Sequence, residues 1–132
     1  MNCAGVATPG FMFVGEALSP PALFDEIDVK THTDGHKVEL RTKGPSDVHF
    51  TLNRVAPGGY SGWHTHPGPS VVAVKSGVAT VYSGDDPTCT PIVRVAGEGF
   101  LDAGGHAHIA RNETTEPAMN VVTYLAPAGV PL

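Results

Sequence analysis

Sixteen glycines and twelve prolines in 132 residues recur at intervals of roughly ten residues and leave little room for a long helix. Between them lie short runs rich in Val, Thr, Ile and Tyr: "DVHFTLNRV", "SVVAVKSG", "VATVYSG", "TPIVRVAG", "HAHIARN" and "NVVTYLAP". β-branching, alternation and turn residues at that spacing predict an all-β chain, an antiparallel sandwich or small barrel. No segment holds a helical period for three turns. "SPPALFDEIDVK" is the one place where a helical turn is expected to start, after its prolines.

Length sets one domain, large enough to bury a core. Residues 1–35 read differently from the rest, with "SPP", several acidic groups and little alternation. They are expected to form an arm packed on the barrel or on a partner subunit, with residues 36–132 as the barrel. "FMFVGEALSPPALF" is too apolar to trail in water, so a homodimer is expected.

Charge excludes some partners. Thirteen acidic residues face eight basic ones, for a net charge of −5. With no Lys/Arg run, a nucleic-acid surface is disfavoured. No apolar window is long enough for a spanning helix, so no membrane role is expected. The N-terminal stretch has no positive charge before Lys30 and no unbroken apolar core. It does not read as a signal peptide, and a cytoplasmic protein is expected. Cys3 and Cys89 are too few for a disulfide framework and are expected to be reduced thiols.

The chemistry concentrates in two stretches. "GYSGWHTHPGPSVVAVKSG" carries His64 and His66, and "GEGFLDAGGHAHIARNE" repeats the H-x-H pattern with His106 and His108. On a strand, residues i and i+2 share a face, so each pair points one way, with Trp63 and Thr65 directed opposite. Two faces looking into one barrel would bring three or four imidazoles together, a donor set suited to transition metals. His32, His36 and His49 occur singly and are expected to be exposed without function. By the same parity Ser70, Val72 and Val74 point inward. Asn112 shares the parity of His108. Phe100 and Tyr124 are candidate aromatic walls, and Lys75 and Arg111 are expected on the outer surface.

The first stretch resembles the first cupin motif, G-x5-H-x-H-x3/4-E-x6-G, with Gly58, His64, His66, Ser70 and Gly77 in its slots. The second resembles the other cupin motif, G-x5-P-x-G-x2-H-x3-N, through Gly97, Ala103, Gly105, His108 and Asn112. The resemblance spans residues 58–112 and implies a jelly-roll barrel, the double-stranded β-helix, with one divalent transition ion (Fe, Zn, Ni or Mn) on His64, His66 and His108. His106 is a candidate fourth ligand. Two slots depart from the pattern: Ala103 replaces a proline, and Ser70 replaces the glutamate that is normally a ligand. Losing that carboxylate leaves the full charge of the ion uncancelled and the centre more electrophilic.

Three functional readings follow from the resemblance. One is an enzyme acting on a small molecule, of the dioxygenase type or a Lewis-acid isomerase or cyclase. The alternative is a non-catalytic cupin that binds metal or a small ligand, and the third is a structural cupin whose histidines bind metal only adventitiously.

Overall fold

The computed structural model describes Cys3 and residues 6–132. Eleven strands and no helix are found among them: β1 (Phe11–Ala17), β2 (Ala22–Phe24), β3 (Asp28–Thr33), β4 (His36–Arg41), β5 (Ser46–Tyr60), β6 (Ser70–Ser76), β7 (Val78–Ser83), β8 (Ile92–Val95), β9 (Gly99–Asp102), β10 (His108–Arg111) and β11 (Ala118–Pro127). The main sheet runs β8-β7-β10-β5-β11-β6-β9, with β1 and β2 also paired to β5. Its ends come together where the Arg94 side chain on β8 donates to the Gly99 carbonyl on β9 at 3.0 Å. The result is a nearly closed antiparallel barrel.

Alternation decides which side chains fill it. Along β6 every second residue is buried, Ser70, Val72 and Val74, and along β11 Ala118, Asn120 and Val122 do the same. With Val55 and Val81 they make a core of small, mostly branched side chains. Burying each valine contributes roughly 1.5–3 kcal/mol.

The helical turn expected in "SPPALFDEIDVK" does not form. Ala22–Phe24 instead pairs with Ser46–Val48 on β5, so an edge of unpaired backbone groups wins over a weak local preference. The expected boundary at residues 35/36 falls at the tip of a separate hairpin, β3–β4, whose register joins Thr33 to His36. β1, from the expected arm, is a strand of the barrel sheet, antiparallel to β5. No helix among the described residues is long and apolar enough to cross a membrane.

The two cysteines are not free thiols. Cys3 and Cys89 form a disulfide, with Cα atoms 5.7 Å apart. Both pack against a cluster of Trp63, Tyr82 and Ile109 on the outside of the histidine-bearing loop.

Candidate metal centre

His64 and His66 do not lie on a regular strand. They sit on the connection from β5 to β6, and backbone hydrogen bonds align that connection with β10 and the loop before it. His64 N donates to the His108 carbonyl and His108 N to the His64 carbonyl, both at 3.0 Å. Two residues on, His66 N donates to the Gly104 carbonyl at 3.0 Å. The two histidine stretches are thus fastened side by side mainly by main-chain bonds, with Ala110 N also donating to Ser61 Oγ at 3.0 Å.

Glycines make the approach possible. Gly104 has φ 88°, and a Cβ there would stand 2.6 Å from the His66 carbonyl and 2.7 Å from its Nδ1. Gly62 has φ 77°, and a Cβ there would meet the Pro9 carbonyl at 2.6 Å. Neither position can carry a side chain without moving the backbone that holds the imidazoles.

Three imidazoles converge. Ring centroids of His64 and His108 are 4.3 Å apart, those of His66 and His108 4.9 Å, and those of His64 and His66 5.9 Å. One nitrogen from each falls within 4.8 Å of the others. The Nδ1 atoms are all engaged by main-chain carbonyls: His64 with Gly62 O at 2.9 Å, His66 with Gly68 O at 2.6 Å, and His108 with His106 O at 3.1 Å. A carbonyl only accepts, so each Nδ1 carries the proton. In the neutral ring that leaves the lone pair on Nε2, the arrangement that metal-ligating histidines need.

His106 stands apart from this group. Its side chain is 38% exposed and its Nδ1 is 4.0 Å from the Asp85 carboxylate, and it is not among the residues whose ligand atoms gather. The bend through Gly104 and Gly105 turns it outward.

Ser70, Val72, Phe100 and Tyr124 line a cavity of about 40 Å³ beside the three histidines. Val74 is buried deeper in the core and does not line it. Asn112 is buried elsewhere: its Nδ2 donates to the carbonyls of Val55 and Glu116, and its Oδ1 accepts from Thr114. It fastens the turn after β10. Phe13, Asn53, Ser61 and Asn120 are among the other residues of the wall, brought there by pairings of β1, β5 and β11 and by the loop after β5, which leave no local mark in the sequence. Of the single histidines, His32 and His36 are exposed. His49 is only half-exposed, and its buried Nε2 has no hydrogen-bond partner among the described residues. Lys75 is exposed, whereas Arg111 is half-buried with its guanidinium 5.6 Å over the Tyr60 ring.

A carboxylate absent from the motif reading also reaches the histidines. The Asp102 side chain is 7% exposed; its Oδ2 is 3.1 Å from His108 Nδ1 and its Oδ1 is 3.9 Å from His66 Nε2.

Burial is the main cause that pushes the His108 imidazole below its usual range, with His64 and His66 adding to it and the His106 carbonyl and Asp102 opposing. A depressed folded-state value means that the unfolded chain binds the proton more readily. This contribution to stability is therefore present above the free imidazole value of about 6.5 and is lost as pH falls from there through the folded value. Metal uptake should fall in the same window, because protonated imidazole cannot ligate. Denaturant midpoints of the metal-free protein should drop between pH 7.5 and 5.5; equal midpoints would remove this assignment.

The cupin-domain family model matches residues 51–124. No curated protein matches the chain. Among solved structures, it is similar to the Cupin_2 domain of an XRE-family transcriptional regulator from Enterobacter cloacae, at 18% identity over 92% of this chain and 100% of that one, TM-score 0.58. It is also similar to a cupin superfamily protein from Desulfitobacterium hafniense, at 13% identity over 96% and 89%, TM-score 0.59. A structure from work on the DMSP lyases RdDddP and RnDddQII is similar at 21% identity and TM-score 0.58, over 89% of this chain and 49% of that one. These likenesses concern the fold.

Proposed function

The chain belongs to the cupin family, and from that premise we propose that it is a metal-dependent enzyme acting on a small organic molecule. The observation that carries this reading is the set of three gathered imidazoles whose Nδ1 atoms are all turned to carbonyls, which leaves the three Nε2 lone pairs available to one ion. A divalent Fe, Zn, Ni or Mn ion held there supplies a Lewis acid with open coordination positions and, if iron, oxygen chemistry.

The chain's own residues set what enters. A cavity of about 40 Å³ has room for a few waters or a small substrate group. Val72 and Phe100 line one part and exclude bulk water. Tyr124 closes another, its ring 5.2 Å from that of His66. Burial raises its hydroxyl above the usual phenol range, so it keeps its proton at neutral pH and can donate. Among the described residues the buried Asn120 Oδ1 atom has no hydrogen-bond partner, and it offers an acceptor to a substrate N–H or O–H. A charged cation site, one donor and one acceptor in an apolar wall suit orientation of a small polar molecule. That a DMSP lyase structure shares the fold supports catalysis on such a barrel.

The test is metal content per chain in protein isolated without added metal, followed by a turnover screen on small molecules with and without oxygen. Iron with oxygen-dependent turnover supports the dioxygenase form. Zinc, nickel or manganese with oxygen-independent turnover supports the Lewis-acid form. Stoichiometric metal with no turnover favours the binding module, and metal in traces only removes both.

The enzyme is proposed to work as a homodimer. Phe11, Met12 and Val14 on β1 and Leu23 and Phe24 on β2 are all 45% exposed or more, on strands at the border of the sheet. A second copy is a ready cover for such edges. Sedimentation at micromolar concentration should give the dimer mass, and replacing Met12 and Val14 together with lysine should give the monomer. A parent protein that sediments only as monomer contradicts this.

A further inference from the structure

The three-histidine reading leaves a charge problem. Three neutral imidazoles cancel none of the charge of a divalent ion, and Ser70 stands where the cupin motif places a carboxylate. The β6–β9 pair suggests where that charge has gone. In its register Ser70 is the direct partner of Asp102. Across an antiparallel pair, directly opposed side chains project from the same face. Both are directed inward, Ser70 3% exposed and the Asp102 side chain 7% exposed.

We propose that Asp102 is the carboxylate of this centre, moved across one strand pair from the motif position, and that it acts as a positioning residue on His108 rather than as a fourth ligand. This rests on the metal-centre reading above. The contact with His108 Nδ1 at 3.1 Å is the carboxylate–histidine pairing that orients metal ligands and raises their basicity. Its other oxygen lies 3.9 Å from His66 Nε2. With the His66 proton on Nδ1, that atom presents a lone pair toward a buried carboxylate. A cation bound at the His66 nitrogen turns the unfavourable approach into an attractive one without Asp102 having to ligate it. Asp102 lies outside the group of gathered ligand atoms, which favours the outer role.

Asp102 also has a structural duty that the test must separate. Its Oδ1 accepts from Gly104 N at 2.5 Å, which holds the turn before β10. Asp102→Asn keeps an oxygen acceptor for that bond and removes only the charge. Ser70→Glu in the Asp102→Asn background returns a carboxylate to the opposed position on the same inner row.

The experiment measures Ni(II) affinity by competition with a chelator for the parent, Asp102→Asn, Ser70→Glu, and the double variant Asp102→Asn/Ser70→Glu. Thermal melts of the metal-free proteins check that each is folded. Asp102→Asn should bind about 10–100-fold more weakly, the range for loss of an outer partner, and the double variant should recover most of it. Because glutamate at position 70 is itself a candidate ligand, Ser70→Glu alone is the control. If Asp102 only held the turn, the gain would be the same in both backgrounds, whereas a larger gain in the Asp102→Asn background reads replacement of its charge. Equal affinity in the parent and Asp102→Asn overturns the proposal, and so does a loss that the double variant does not recover. Loss as complete as that of His108→Ala overturns the positioning role in favour of direct ligation. A parent that takes up no Ni(II) overturns the metal centre itself, which separates the two failures.

Discussion

Replacing either His64 or His108 with alanine should strip the protein of metal, while His106→Ala should leave occupancy unchanged. The contrast follows from where the rings sit. His64 and His108 are tied by a reciprocal pair of main-chain bonds at 3.0 Å, and their rings are 4.3 Å apart. Removing one leaves two imidazoles, and the affinity loss should exceed the roughly 100-fold upper range for outer partners. His106, 38% exposed and facing Asp85, has no such convergence. Alanine at His64 and His108 retains the main-chain bonds, so folding should survive and the loss can be read as loss of a ligand. The measurement is metal per chain, for parent and three variants, after identical isolation. Full occupancy in the His64 and His108 variants would place the ion elsewhere. Loss in His106→Ala would restore it as a fourth ligand.

Much of this centre was legible because its members are fixed by local sequence. The H-x-H pair, His108 and the glycines around them occupy motif slots, and each main-chain contact they need is made within those stretches. The barrel was legible for a similar reason: alternation along β6 and β11 states which face is buried. Asp102 was not legible, because its meaning lies in the register that sets it opposite Ser70, a relation between two strands rather than within one. Parity placed Val74 inward, as it is, but the residue sits too deep to line the cavity. Asn112 shares the parity of His108 but stands outside the pocket, where it fastens the strand end by hydrogen bonds to Val55, Thr114 and Glu116. The H-x-H pair converged as expected, yet on an irregular connection rather than a strand. The cross-strand ties, not a two-residue period, aim those rings.

The disulfide shows the same limit. Nothing near Cys3 or Cys89 announces that the N-terminal arm returns to the β7–β8 loop, and two cysteines alone look like two thiols. The arm is led back by its contacts with Trp63: Thr8 N donates to the Trp63 carbonyl at 3.1 Å, and Trp63 N donates to Thr8 Oγ1 at 2.9 Å. The crosslink then closes a sequence separation of 86 residues. Chain entropy assigns a loop of that length about 4–5 kcal/mol of stabilisation, by restricting the unfolded ensemble. The double variant Cys3→Ser/Cys89→Ser should therefore melt well below the parent, by about 10–20 °C for a domain of this size. The parent in reductant should approach the same value. Trp63 adjoins His64, and its backbone is held by the arm, so its fluorescence should report a looser surround in the variant before the main transition. Two controls fix the interpretation. The denatured, unreduced parent should resist alkylation at both cysteines, and the variant should melt alike with and without reductant. Alkylation of both thiols in the unreduced parent, or equal melting of parent and variant, would mean that the arm is held by Thr8 and its neighbours alone.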